Sequence, residues 1–205
     1  QQLSPMSQQA GQTIGNERLT VLADRGYFNG EQIRECEQNG IATLVPKPLT
    51  SNNKAAGLFD RRDFVYIPEN NEYRCPAGER AIWRCTSVEN GMKLHKYWSS
   101  ACAQCKLKAR CTTGTNRRIT RWEHEDILER MQERLDRTPE ATKLRRQTVE
   151  HVFGTLKAWM GATHFLTKTL PRVSTEISLH VLAYNLKRTI QIFGVKPLIR
   201  AIMAA

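Results

Sequence analysis

The stretch from Leu19 to Val45 constrains the fold most. Leu19-Thr-Val-Leu-Ala23 is a short apolar run with β-branched content, bounded by Asp24-Arg-Gly26, and it predicts a buried strand. Asn29 can cap a helix running to about Glu37, with Gln32 placed for a capping box and Gly40 as the C-terminal stop. Ile41 to Val45 reads as a second strand, halted by Pro46 and Pro48. A strand, a helix and a strand at this spacing form a βαβ unit, so the two strands should pair in parallel with helices packed on them. The expected class is α/β, with a short parallel βαβ piece over residues 1–45.

The texture then changes. Residues 46–120 carry prolines, asparagines, glycines and five of the six cysteines, with short extended pieces such as Phe64-Val-Tyr-Ile67, and read as a separate insertion. From 121 to 205 helical patterning dominates. One helix is predicted over about Trp122 to Leu135. A second follows Thr138-Pro139 and runs to about Met160, and a third covers about Val173 to Phe193, ended by Gly194 and Pro197. No apolar run approaches the roughly 20 residues that cross a bilayer, and the start QQLSPMSQQ lacks a signal-peptide pattern.

Charge points to a polyanion. The formal net charge is +11. Between residues 106 and 121 stand Lys106, Lys108, Arg110, Arg117, Arg118 and Arg121 with no acid among them. After Glu150, seven Lys and Arg residues face one acid, Glu176. Clustering of this kind fits nucleic acid first, and a solvated basic face otherwise.

Two places could carry chemistry. Asp24 ends the first strand on its carboxyl side, where open α/β sheets place ligand groups, although an Asp before x-Gly is also an ordinary turn residue. Arg146, Glu150 and Lys157 share one helix. At roughly 100° per residue, Glu150 lies about 40° and Lys157 about 20° around from Arg146, so the three form a narrow stripe. Beside it run Val149, Phe153, Leu156 and Met160, expected to bury against Leu19, Val21 and Ala23. The plain alternative is an amphipathic helix with an i, i+4 ion pair from Arg146 to Glu150.

These motifs resemble a known family. Ala23-Asp24-Arg-Gly-Tyr27, followed by a helix, resembles the segment around the second aspartate of insertion-sequence DDE transposases. Arg146, Glu150 and Lys157 match the last three members of those enzymes' tyrosine–arginine–glutamate–lysine signature, while Lys143 stands where the tyrosine belongs. Val149-Glu-His-Val-Phe-Gly154 and Leu182-Ala-Tyr-Asn-Leu-Lys187 are similar to the segments flanking and following the family's glutamate.

The resemblance implies a partial RNase H-like core in which Asp24 and Glu150 are catalytic. They would be two of three carboxylates that hold a pair of Mg²⁺ or Mn²⁺ ions for DNA cleavage and strand transfer. Arg146 and Lys157 would hold phosphates, or Arg146 would brace Glu150. It implies double-stranded DNA, both element ends and target, as partner, a homo-oligomer in the complete enzyme, no membrane, and a cytoplasmic, nucleoid-associated location. The family's first aspartate lies on an opening strand, yet residues 1–23 contain no Asp, only Glu17. The chain is therefore expected to be a C-terminal portion, inactive alone. The alternative is a non-catalytic, zinc-bearing DNA-binding remnant of such an element.

Cys102-x-x-Cys105-x₅-Cys111 places three thiols within ten residues, and Cys75, before Pro76 and Gly78, is the expected fourth ligand of a structural Zn²⁺. Similar cysteines in related transposases support that reading. Cys85 or His95 could replace one ligand, an iron–sulfur cluster could use the same four thiolates, and reduced cysteines without metal are the plain alternative. Cys36 is expected to act as a small buried hydrophobe.

Overall fold

The computed structural model describes residues 2–16, 18–48 and 52–204, so Glu17 lies outside the described residues. Two compact units divide the chain at Thr138 and Pro139.

In the first unit the βαβ piece forms as expected. Strand β1 (Thr20–Leu22) pairs in parallel with β2 (Ala42–Leu44) across helix α2 (Gly30–Gln38). Asn29 caps α2 by accepting the Gln32 amide. The Gln32 side chain does not close the reciprocal half of a capping box, because its Oε1 accepts the Ser4 amide at 3.1 Å. Gly40 stops the helix in the left-handed region at φ 72°. β1 is half-exposed, not buried. Among the described residues β2 is its one paired neighbour, so its other edge is open.

A helix the sequence reading did not anticipate, α1 (Leu3–Ile14), packs on α2 through Leu3, Ser4, Ser7 and Gly11. Gly11 allows the close return of the chain: a Cβ there would meet the Asn16 carbonyl oxygen at 3.3 Å and Leu19 at 3.5 Å. Cys36 is fully buried, and burial pushes its thiol pKa up, in keeping with a hydrophobic role.

The Cys-rich region is more regular than short extended pieces. It builds a five-stranded antiparallel sheet in sequence order: β3 (Val65–Ile67), β4 (Glu72–Arg74), β5 (Arg80–Glu89), β6 (Met92–Trp98) and β7 (Ile119–Trp122). Asn90 and Gly91, both at positive φ, turn the β5–β6 hairpin. Asn71, also left-handed, turns the chain into β4 and accepts hydrogen bonds from the Tyr66 and Tyr97 hydroxyls.

Two cores share this sheet. Phe64, Tyr73, Ala81, Tyr97 and Ile119 form one, with Tyr66, Tyr73 and Tyr97 in tilted and edge-on ring contacts. Trp122, with Met92 and Leu94 beside it, joins Leu3, Ile33, Cys36, Ile41, Val45, Leu128 and Met131 in the other. Leu19, Val21 and Ala23 pack against that second cluster. Helix α3 (Glu125–Arg137) closes the unit, and the Trp122 predicted to start it belongs to β7.

The second unit is helical. Its first stretch alternates windings: α4 (Ala141–Arg145), a π-wound turn over Arg146–Glu150, α5 (His151–Gly154) and a second π-wound turn over Thr155–Trp159. Helix α6 spans Leu170–Phe193, and after Gly194 the chain restarts as α7 (Val195–Met203), with Pro197 tolerated in its first turn. Among the described residues no helix is long and apolar enough to cross a membrane.

Candidate active-site and nucleic-acid-binding residues

Asp24 leaves β1 at its carboxyl end, and the ladder continues to its neighbour through the Ala23 amide on the Leu44 carbonyl. Its backbone is extended, with φ −75° and ψ 160°, and its carboxylate accepts the Arg25 amide at 2.7 Å, capping the single turn Arg25–Tyr27. The residue is solvent-exposed. The turn holds the carboxylate at a fixed place on the sheet's C-terminal margin, where a hard cation could reach it.

Glu150 ends the first π-wound turn of the second unit. The ion pair considered from sequence, Arg146 to Glu150, is not the one that forms: Arg145 donates to Glu150 Oε1 at 2.7 Å. The cause is the winding. A π turn closes i to i+5, which brings residue 145 over residue 150. Lys157 lies in the second π-wound turn. The apolar stripe is only partly buried: Leu156 is 3% exposed, whereas Val149 is 43% and Phe153 53% exposed.

Cys75, Cys102, Cys105 and Cys111 all line one cavity of about 30 Å³, walled also by Phe59, Phe64 and Leu107. All six cysteines are free thiols. Burial pushes the Cys111 thiol up; Arg117 opposes this, and Cys102, Cys75 and Cys105 add to it as negative neighbours would. Four sulfur side chains around one partly apolar cavity are the residue types that a soft divalent cation uses. Among the described residues, no group of three or more His, Cys, Asp or Glu side chains is arranged to hold a metal ion. The thiols surround the cavity without converging. Cys85 is exposed on β5, and His95 bonds to the Thr86 hydroxyl through Nδ1 at 2.8 Å.

The basic run from 106 to 121 divides by environment. Lys106, Arg110 and Arg118 are exposed, Lys108 and Arg117 half-buried. Arg110 lies over the Phe59 ring, Arg117 over Phe64 and Arg118 over Trp98. Arg121 is buried, donates to both Glu129 oxygens at 2.5 and 2.8 Å, reaches the Tyr73 hydroxyl, and sits 3.8 Å over the Tyr66 ring. A second cation on Trp98, Arg84, was not singled out from the sequence, where it is one arginine among many. The hairpin pattern around Asn90-Gly91 could have placed it on the same strand pair.

No curated protein and no solved structure matches the chain. The family described as transposase DDE domain matches residues 74–190, more than half of the 205 residues, and that span includes Glu150, the four cysteines around the cavity and the whole basic run. The chain belongs to the transposase DDE domain family.

Proposed function

We propose that the chain is the C-terminal portion of a DNA transposase that cleaves DNA strands at the ends of an insertion sequence and joins them to target DNA. The observation that carries this reading is the family match running through the Arg146–Lys157 segment, together with an aspartate, Asp24, at the carboxyl end of a strand in a parallel pair. Asp24 and Glu150 are the metal ligands, with Mg²⁺ or Mn²⁺ supplying charge stabilisation for an in-line phosphodiester displacement. Arg145 orients the Glu150 carboxylate, Arg146 and Lys157 meet phosphates, and the exposed cations of 106–121 bind duplex DNA. The partial core is RNase H-like, and the complete enzyme is a homo-oligomer on its DNA.

An active site of this kind needs a third carboxylate besides these two. Iron-mediated backbone cleavage tests the assignment. Fe²⁺ in place of Mg²⁺, with ascorbate and peroxide, should cut the chain near residues 24 and 150. Excess Mg²⁺ should suppress both cuts, as should Asp24→Asn or Glu150→Gln at its own site. Cuts confined to other segments would sink the reading.

The cysteine cavity takes a structural Zn²⁺ when the four thiols close on it. Protein purified without added metal should carry near-stoichiometric zinc by elemental analysis, and zinc-free protein in which Cys75, Cys102, Cys105 and Cys111 all titrate beside the exposed Cys85 would overturn this part. The same cavity also supports the second reading, a zinc-bearing DNA-binding remnant without catalysis. Duplex binding with no iron cuts at Asp24 or Glu150 would select it.

A further inference from the structure

The β5–β6 hairpin of the five-stranded sheet holds a feature that neither the carboxylates nor the cysteines use. Trp98, at the end of β6, carries two guanidinium groups: Arg84 lies 5.9 Å and Arg118 5.6 Å from its ring centre. Arg84 sits where the β5–β6 register shifts between Trp83 and Cys85, so it is the extra residue of a bulge and re-aimed relative to the strand. It is held there by hydrogen bonds from Nε to the Trp98 carbonyl at 3.3 Å and from Nη2 to the Ser100 hydroxyl at 2.6 Å. Arg118 immediately precedes β7.

Both arginines are exposed, and among the described residues neither has a carboxylate partner. Other arginines of this unit do: Arg80 pairs with Glu72, Arg121 with Glu129 and Arg134 with Glu37. Two like charges on one ring repel, and an exposed cation–π contact is worth only about 0.5–1 kcal/mol. An anion that met both would turn that repulsion into attraction, with the Arg84 guanidinium already held in place by its bonds to Trp98 and Ser100. Ile82, paired with Trp98 across the hairpin, is 37% exposed, so the ring has an open apolar neighbour and no acid directly across.

We propose that Arg84 and Arg118, set against Trp98, form a clamp for one phosphate of a DNA backbone, on the sheet of the Cys-rich region and apart from the Asp24 turn. This rests on the DNA-binding reading above and adds Arg84 and Trp98 to it. The planar fork of arginine suits the task, since it meets phosphate oxygens two at a time.

The test is anisotropy of a labelled duplex with the full chain across a salt series. Arg84→Gln/Arg118→Gln should reduce the slope of log K against log salt by about 0.9, the release expected for one phosphate contact, which is about eight-fold in affinity at 0.1 M salt. Arg34→Gln/Arg130→Gln removes two charges from helix surfaces where both are paired with acids, and should change the slope little. Arg84→Lys/Arg118→Lys keeps the charge and guards against a folding artefact; it should keep the slope while losing part of the affinity. If the wild type binds and the Gln pair keeps its slope, or the control pair lowers it equally, the clamp is wrong and DNA binding stands. If the wild type shows no salt-sensitive binding, both readings fall.

Discussion

Replacing Arg121 by Met separates a structural cation from a DNA-contacting one. Arg121 was grouped with the basic run by sequence, yet its guanidinium faces inward onto Glu129, Tyr73 and Tyr66. Met keeps the volume of the stem and removes the charge. The loss comprises a charge-assisted pair of hydrogen bonds, worth about 1.5–3 kcal/mol, and a close cation–π contact of about 1 kcal/mol. Glu129 remains 47% exposed and regains water, which discounts the first figure toward its lower end. A net loss of about 2–3 kcal/mol is expected, or roughly 6–10 °C in Tm for a unit of this size. The assay is thermal unfolding followed by near-UV circular dichroism, which reports the Tyr66–Tyr73–Tyr97 cluster, beside duplex binding measured well below the transition. Arg121→Met should lower Tm and leave the salt slope of DNA binding intact. A variant with unchanged Tm and a slope reduced by about 0.9 would show that the guanidinium serves phosphate, and the structural reasoning would be refuted.

Gly91→Ala should cost about 1 kcal/mol, visible as a lowered Tm, because φ 80° strains any residue with a Cβ; an unchanged Tm would mean that the turn relaxes. Burial pushes the Tyr97 hydroxyl up to about 12, so its contribution is complete below pH 10 and is lost as pH rises toward 12. That amounts to about 2–3 kcal/mol, and Tyr97→Phe should remove this component from the alkaline unfolding profile. Glu176 accepts the Leu166 and Thr167 amides and the Thr167 hydroxyl, which holds its carboxyl below the usual range. The fastening it provides is present above the ordinary carboxylate pKa and fades as pH falls through the lowered one. Glu176→Gln should speed hydrogen exchange at those two amides at neutral pH, and equal exchange in both proteins would refute the fastening.

Much of the first 45 residues was legible because each local signal agreed with the next. Two short apolar runs, an Asn cap and a Gly stop made the βαβ piece readable without tertiary information. Helix α1 was not, since Pro5 and Gly11 look like breakers. Pro5 sits in the first turn, where no amide is missed, and Gly11 is needed for close packing. The antiparallel sheet was hidden for a different reason. β5 is exposed over most of its length, so it lacks the apolar alternation that announces a strand, and the Asn90-Gly91 turn was its one strong local mark. The spacing of Cys102, Cys105 and Cys111 announces neighbouring thiols, and with Cys75 they line one cavity, although they do not converge on a point.

The segment around Glu150 shows why periodicity fails where chemistry is expected. A 100° step puts Arg146, Glu150 and Lys157 on one stripe and Val149, Phe153, Leu156 and Met160 on the next, provided every turn is an α turn. Two π-wound turns, over 146–150 and 155–159, each widen the coil and shift the phase of everything beyond them. One consequence is the pairing of Glu150 with Arg145. Another is that Leu156 is buried while Phe153, its partner on the ideal stripe, is 53% exposed. No Gly or Pro within 146–150 marks the change, so no local residue signal gives it away. π turns are rare and are found disproportionately at functional sites. A winding defect that ends on Glu150, inside the segment the family model matches, is the kind of departure from local rules expected when a side chain's aim matters more than its helix's regularity.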